Sequence, residues 1–148
     1  MFTITKSFEF SASHQLKLDY ESPCRERHGH NWRVTVMITG KCLLKGTGMI
    51  FDFMKIKQPI MERFDHKDVN KALLIYCQEI PPDSLCAERL RNAECNPTAE
   101  ILAFVIGDIV NRILKRQSCS KHPAYVCNVT VEESQNNLAS WRPDYAEE

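Results

Sequence analysis

Three histidines in the first part of this 148-residue chain have a spacing suited to metal chemistry. His28 and His30 lie two residues apart in PCRERHGHNW, and His14 ends the stretch SFEFSASH. Side chains two apart on a β-strand leave it on the same face. His28 and His30 share parity with Trp32 and Val34, and His14 continues the even series Phe8, Phe10, Ala12. If the two stretches pair as a hairpin, three imidazoles converge at one end of one sheet face. Imidazole is a good zinc ligand. Three protein ligands leave a fourth position open for water or substrate, which marks a catalytic site rather than a structural one. Gly29 lets the backbone lie close to a metal. His122, beside Pro123, has no partner in this pattern and reads as an ordinary loop residue.

Acid–base candidates lie close by. Cys24 precedes His28 by four residues and is flanked by Arg25 and Arg27. Nearby cations and a metal both favour the thiolate, so Cys24 is the candidate reactive thiol. Asp65 and His66 are adjacent in RFDHKDVN. A carboxylate beside an imidazole can orient it or raise its basicity, while helix capping is the ordinary role for such an Asp. Glu133 shares parity with Val129 and Val131 and so points inward. A carboxylate there needs a partner. A ligand with paired N–H donors, such as a pterin or guanine edge, would supply one; otherwise the strand frays and Glu133 turns outward. Glu132 has the opposite parity and reads as solvated.

The elements that must hold these residues are legible in outline. The N-terminus alternates, with Phe2, Ile4, Phe8 and Phe10 against Thr3, Thr5, Ser7 and Glu9, which predicts a strand with one buried face. A second strand runs over 31–40, with Trp32, Val34, Val36 and Ile38 on one face. Met49 to Phe53 reads as a short extended piece. A helix ends near Phe64, with Ile56, Ile60 and Phe64 in phase. Pro59 requires either a start near Ile56 or a kink. Residues 77–97 read as a loop with a short helix around 83–91. A long helix spans 98–116, capped by Asn96 or Thr98, with an apolar stripe from Ile101 to Leu114. A last strand covers 124–134, with Tyr125, Cys127, Val129 and Val131 on one face, and the tail after Trp141 reads as loose. The sum is one α+β domain over 1–148 with a mostly antiparallel sheet.

Bulk properties narrow the function. Nineteen basic residues balance nineteen acidic ones, giving a formal net charge of zero, which favours neither nucleic acid nor a membrane surface as partner. No apolar run approaches the length of a membrane span, and the N-terminus has no signal-like apolar core. A cytoplasmic location is expected. The seven cysteines are odd in number and form no C-x-x-C pair, so reduced thiols are expected.

Taken in order, FSASHQL, CRERHGHNW, TGMIFDF, FDHKDVN, NPTAE and VTVEES make the chain resemble the 6-pyruvoyltetrahydropterin and 6-carboxytetrahydropterin synthase family from Phe8 to Glu133. The resemblance implies Zn2+ held by His14, His28 and His30. It implies an acid–base set of Cys24, Asp65 and His66, a pterin anchored by Glu133, and Thr98 and Glu100 near the pterin pocket. The implied fold is the tunnelling T-fold, with a four-stranded antiparallel sheet and two main helices packed on one face. Such subunits assemble into a barrel as a trimer or a hexamer built as a dimer of trimers, with sites between subunits. The implied substrate is the small-molecule pterin triphosphate 7,8-dihydroneopterin triphosphate.

Two branches share these parts. Three residues separate Cys24 from His28, which is similar to the carboxy branch, the one used in making queuosine and other 7-deazapurines. The pyruvoyl branch is the alternative, and a zinc hydrolase or a silent pterin binder is a more remote one. Ile101 stands where the family often has Asn, Gln15 where Arg is frequent, and the 81–95 stretch with its cysteines resembles an insertion.

Overall fold

The N-terminal alternation becomes β1, Phe2–His14, paired antiparallel with β2, His28–Gly40. The computed structural model describes residues 1–119 and 121–144 of the chain. After β2 come α1 (Phe53–Phe64), β3 (Lys67–Asp68), α2 (Val69–Glu79), α3 (Leu85–Asn92), α4 (Ala99–Gln117), β4 (Tyr125–Ser134) and β5 (Asn137–Trp141). The sheet has five strands in the order β3-β1-β2-β4-β5. All pairs are antiparallel except β1 with β3, which is parallel. The expectation of four strands and two main helices is thus corrected to five strands and four helices among the described residues.

Parity decides which face is the core. Phe8, Phe10 and Ala12 of β1 and Trp32, Val34, Val36 and Ile38 of β2 are buried and belong to one cluster with Ile56, Ile60 and Phe64 of α1 and Leu102, Val105 and Ile106 of α4. Phe10 stacks on Phe64 with ring centroids 5.6 Å apart. The opposite face carries Thr5, Ser7, Glu9 and Arg33, all exposed. The helices therefore cover the even face, and the odd face stays polar.

Several boundaries differ from the sequence reading for identifiable reasons. Residues 49–52 form no strand, and α1 starts at Phe53 because Asp52 caps it, its Oδ1 accepting from Met54 N at 2.8 Å. Pro59 consequently falls inside the helix. The short helix expected around 83–91 is α3, whereas α2 was not expected, and only its last three residues fall in the stretch read as loop. Capped by Asp68, α2 buries Val69, Ala72, Leu73 and Tyr76, while α3 buries Cys86, Ala87 and Leu90. Cys86 and Cys95 serve there as small core residues, and burial together with the neighbouring Asp108 pushes the Cys86 thiol up to about 12. Among the described residues all seven cysteines are free thiols. In β4, Met37 faces Asn128 and Ile38 faces Val126, so Cys127 is an extra, bulged residue. The bulge flips parity, so Val126, Val129 and Val131 are buried and Tyr125 and Cys127 are not. The expected loose tail falls partly on 145–148, outside the described residues; Trp141, its boundary, is the last residue of β5.

Gly107 of α4 sets how closely β5 packs. A Cβ there would lie 2.5 Å from Cε3 of the Trp141 indole. Overpacking of this kind typically costs about 1–3 kcal/mol. Gly107→Ala is expected to lower stability by that amount, read as a lower urea midpoint with an unchanged slope. An unchanged midpoint would mean that the indole swings aside without cost.

Candidate metal centre and active site

The β1–β2 register places His14 directly opposite His28, and Ala12 opposite His30. Because all three histidines have even numbers, their rings leave the sheet on the core side. One ligand atom from each of His14, His28 and His30 lies within 4.8 Å of the others. Trp32 closes the inner side, its ring centroid 4.8 Å from that of His14 and 5.2 Å from that of His30. The Trp32 indole N–H donates to Ala12 O at 3.2 Å, which fixes this wall.

Two backbone carbonyls decide the chemistry of the cluster. His14 Nδ1 lies 2.8 Å from Pro97 O, and His28 Nδ1 lies 2.7 Å from Glu26 O. A carbonyl only accepts, so each Nδ1 carries the proton and each Nε2 presents a lone pair. Those two Nε2 atoms are 3.0 Å apart. Two lone pairs at that distance repel unless a proton or a cation lies between them. Burial, the dominant influence, holds the His14 imidazole below its ordinary basicity, with the Pro97 bond and Glu133 acting the other way. The ring is thus a poor proton carrier. His30 is likewise lowered by burial, opposed by Glu133. His30 Nε2 is buried without a hydrogen-bond partner. Three imidazoles whose ring nitrogens converge, with one orphaned nitrogen among them, fit a divalent cation that prefers nitrogen ligands. The carbonyls hold the rings as outer partners hold metal ligands. Such partners act through the main chain, so side-chain patterns did not point to Pro97 or Glu26.

Glu133 reaches this cluster. Its Oε1 lies 3.5 Å from His30 Nε2, and its side chain is 19% exposed. The inward parity expected from Val129 and Val131 holds up to Glu133. Thr98 caps α4, its Oγ1 accepting from Ile101 N at 3.3 Å, one residue after Pro97. Asn96 does not cap the helix. Glu100 is exposed in the first turn.

Cys24 sits half-buried on a short 3-10 turn, Pro23–Arg25, with its N–H on the Ser22 hydroxyl at 3.2 Å. Its thiol is not one of the clustered ligand atoms. The flanking cations are engaged elsewhere: Arg25 with Glu21 at 3.1 Å and Arg27 with Asp68 at 3.0 Å.

Asp65 and His66 occupy a different place. Asp65 ends α1, and its Oδ1 accepts from Ser11 N at 3.0 Å. His66 N donates to Ser11 O at 2.7 Å, so both residues grip the edge of β1. Holding that bond puts His66 in the left-handed region, φ 55°, which non-glycine residues seldom occupy. Its ring is 82% exposed, with Nε2 3.7 Å from Asp65 Oδ2. It lines an open cleft of about 550 Å³ with Ser11, Ser13, Gly29, His30 and Asn31. Four of those five are odd-numbered positions, on the face opposite His14 and His28. Within one chain the structure brings His14, His28, His30 and Glu133 together, and displays His66 outward.

A five-stranded sheet with helices on one face and a histidine cluster at the end of its central hairpin defines a class of α+β protein with solved relatives. The Caenorhabditis elegans 6-pyruvoyl tetrahydropterin synthase superposes with a TM-score of 0.65 at 20% identity, over 97% of this chain and 96% of the other. A Plasmodium vivax 6-pyruvoyltetrahydropterin synthase gives 0.55 at 16% identity, over 98% and 100%. The fold is that of the tetrahydropterin synthases. Residues 3–144 match the 6-pyruvoyl tetrahydropterin synthase family, and the chain belongs to it. Among relatives, a Synechocystis 6-carboxy-5,6,7,8-tetrahydropterin synthase is 36% identical over 80 residues, 49% of this chain and 61% of its own. A Pyrococcus horikoshii protein named for the same activity is 46% identical over 59 residues, 40% of this chain and 36% of its own, so the match spans well under two thirds of that relative. The Drosophila melanogaster 6-pyruvoyl tetrahydrobiopterin synthase is 27% identical over 96% of this chain and 80% of its own.

Proposed function

We propose that the protein is a zinc-dependent 6-carboxy-5,6,7,8-tetrahydropterin synthase. It would act on 7,8-dihydroneopterin triphosphate, releasing acetaldehyde and triphosphate, in the cytoplasmic synthesis of queuosine and related 7-deazapurines. The observation that carries the reading is the convergence of the His14, His28 and His30 ring nitrogens beside the inward carboxylate of Glu133. It joins a candidate Lewis-acid site to a carboxylate able to accept paired N–H donors. The three-residue gap between Cys24 and His28 supports the carboxy branch, as do the relatives named for that activity. The match to the Drosophila protein over 96% of this chain keeps the pyruvoyl branch as the second reading.

Held by His14, His28 and His30, a zinc ion would polarise the side-chain hydroxyls of the substrate and acidify the neighbouring C–H bonds. The chain's own residues do the rest. Glu133 accepts the pterin's 2-amino and N3 hydrogens and fixes its orientation. Cys24 takes a proton from the side chain, and His66 delivers or removes one with Asp65 orienting its ring. The outward display of His66 and the exposed polar odd face support a site completed by a second copy, in a trimer or a hexamer whose sheets join into a barrel.

Mass-spectrometric product analysis of the zinc-loaded protein with 7,8-dihydroneopterin triphosphate tests the branch. Carboxytetrahydropterin with acetaldehyde supports the proposal. Pyruvoyltetrahydropterin without acetaldehyde moves it to the second reading, and no turnover sinks both. Cys24→Ala is expected to lower kcat by roughly 10²–10⁴-fold, the usual contribution of a proton-transfer group, with zinc content unchanged. A hydrolase that activates water on the metal would lose little.

A further inference from the structure

Chain segment 15–22 leaves β1 immediately after the first candidate ligand and has neither helix nor strand structure, yet its backbone is held at successive points by side chains far away in sequence. Asn70 Oδ1 accepts from Gln15 N at 2.9 Å, and Asn70 Nδ2 donates to Gln15 O at 2.8 Å. Asn96 repeats the arrangement on Lys17, accepting from its N at 2.9 Å and donating to its O at 3.1 Å. Each carboxamide copies the N–H and C=O pair of a neighbouring strand. Between them, Leu16 N donates to Cys24 O at 2.9 Å. In extended chain, residues i and i+2 direct their polar groups to one side and residue i+1 to the other. Gln15 and Lys17 thus face the two asparagines, and Leu16 faces the Cys24 turn. Asn96 also adjoins Pro97, whose carbonyl orients His14.

We propose that Asn70 and Asn96 are positioning residues that use their carboxamides as surrogate strand edges to set where Cys24 stands relative to His14. The proposal rests on the synthase reading for the importance of Cys24, but the clamp itself is tested without turnover. Neither asparagine is needed to hold the metal, because His14 is fixed by β1 and Pro97. Losing a clamp should therefore separate catalysis from zinc binding.

The test uses the full zinc-loaded chain with Asn70→Ala and Asn96→Ala. Asn70→Asp and Asn96→Asp accompany them, keeping size and acceptor but losing the donor. Amide exchange at Gln15 and Lys17 is followed by NMR, Cys24 alkylation by iodoacetamide through peptide mass, zinc by elemental analysis, and kcat and KM with 7,8-dihydroneopterin triphosphate. We expect exchange at Gln15 in Asn70→Ala and at Lys17 in Asn96→Ala to quicken about tenfold or more, and the Cys24 alkylation rate to change in all four variants, since the aspartates keep the acceptor for each amide but lose the donor to each carbonyl. Zinc should stay at the wild-type level while kcat falls roughly 10–100-fold, the range seen when an orienting partner is removed. A lower melting temperature with unchanged kcat and alkylation would overturn the proposal, since that is what a purely structural role gives. If the alanine variants do not fold, the aspartates decide through Cys24 alkylation and kcat. If the wild type itself lacks turnover, the synthase reading fails, and exchange and alkylation alone decide the clamp: both changed support it, both unchanged overturn it.

Discussion

Replacing His28 with alanine is expected to leave the chain unable to retain zinc at micromolar concentrations, and its unfolding temperature indifferent to added metal. The expectation follows from the arrangement of lone pairs. In the wild type, Pro97 O and Glu26 O hold the Nδ1 protons of His14 and His28, and the two Nε2 atoms confront each other at 3.0 Å. A cation turns that repulsion into attraction and gives the buried His30 Nε2 its missing partner. Removing one imidazole takes away a ligand and the confrontation together. Loss of a group that only orients a ligand costs 10–100-fold in affinity, so loss of a ligand should cost more than about 100-fold. Competition with a chromogenic chelator measures this directly. Wild-type protein at a zinc concentration about 100 times its Kd gains roughly 2.7 kcal/mol, or about 5–10 °C in unfolding temperature. Chelation should reverse that gain, and the His28→Ala protein should show none of it. Zinc that stabilises the variant as much as the wild type would remove the triad from the metal-binding role.

The histidine cluster was legible in sequence because it depends on parity alone. An uninterrupted period of two carries Phe8, Phe10 and Ala12 to His14, and Trp32 back to His30 and His28. Any antiparallel pairing of even with even residues puts the rings on the core face. Elements without that regularity were harder to see. β3 has only two residues, too few for any period, and it exists because Asp65 and His66 tie to Ser11. β4 shows no clean alternation because Cys127 is bulged, although the offset of Val126 from Val129 and Val131 was a visible clue. α2 carried its own signals: Asp68 as cap and Val69, Leu73 and Tyr76 at helical spacing. Its apolar run ends at the Pro81–Pro82 pair, and its outward face carries Leu74 and Ile75, which blur the stripe. The placement of His66 away from the triad was beyond any local pattern. It follows from the crossover that brings β3 alongside β1 on the edge away from β2.

Glu133→Gln is expected to separate pterin recognition from metal binding. Glu133 is the last inward-facing residue of β4, 19% exposed, and the ring it faces at 3.5 Å is His30. Burial keeps His30 less basic than an ordinary imidazole, so that ring offers the carboxylate no standing positive charge. A largely buried carboxylate that accepts no hydrogen bond among the described residues is costly unless a ligand satisfies it. Two parallel N–H donors on a planar heterocycle would bond both oxygens at once, and charge-assisted pairs of that kind are the strong ones. Glutamine has nearly the same shape but turns one acceptor into a donor, so one of the two ligand N–H groups would meet another N–H. Breaking one partner of a buried, hydrogen-bonded charged pair costs about 2–5 kcal/mol. That corresponds to a fall of roughly 30-fold to several thousandfold in kcat/KM. Zinc content should remain at the wild-type level, because the three imidazoles and their carbonyl partners are untouched. If zinc is lost along with activity, Glu133 serves the histidines rather than the substrate, and the pterin must be held elsewhere. If kcat/KM barely moves while zinc stays, the inward carboxylate has no part in recognition, and the case for a pterin ligand loses the acceptor it rests on.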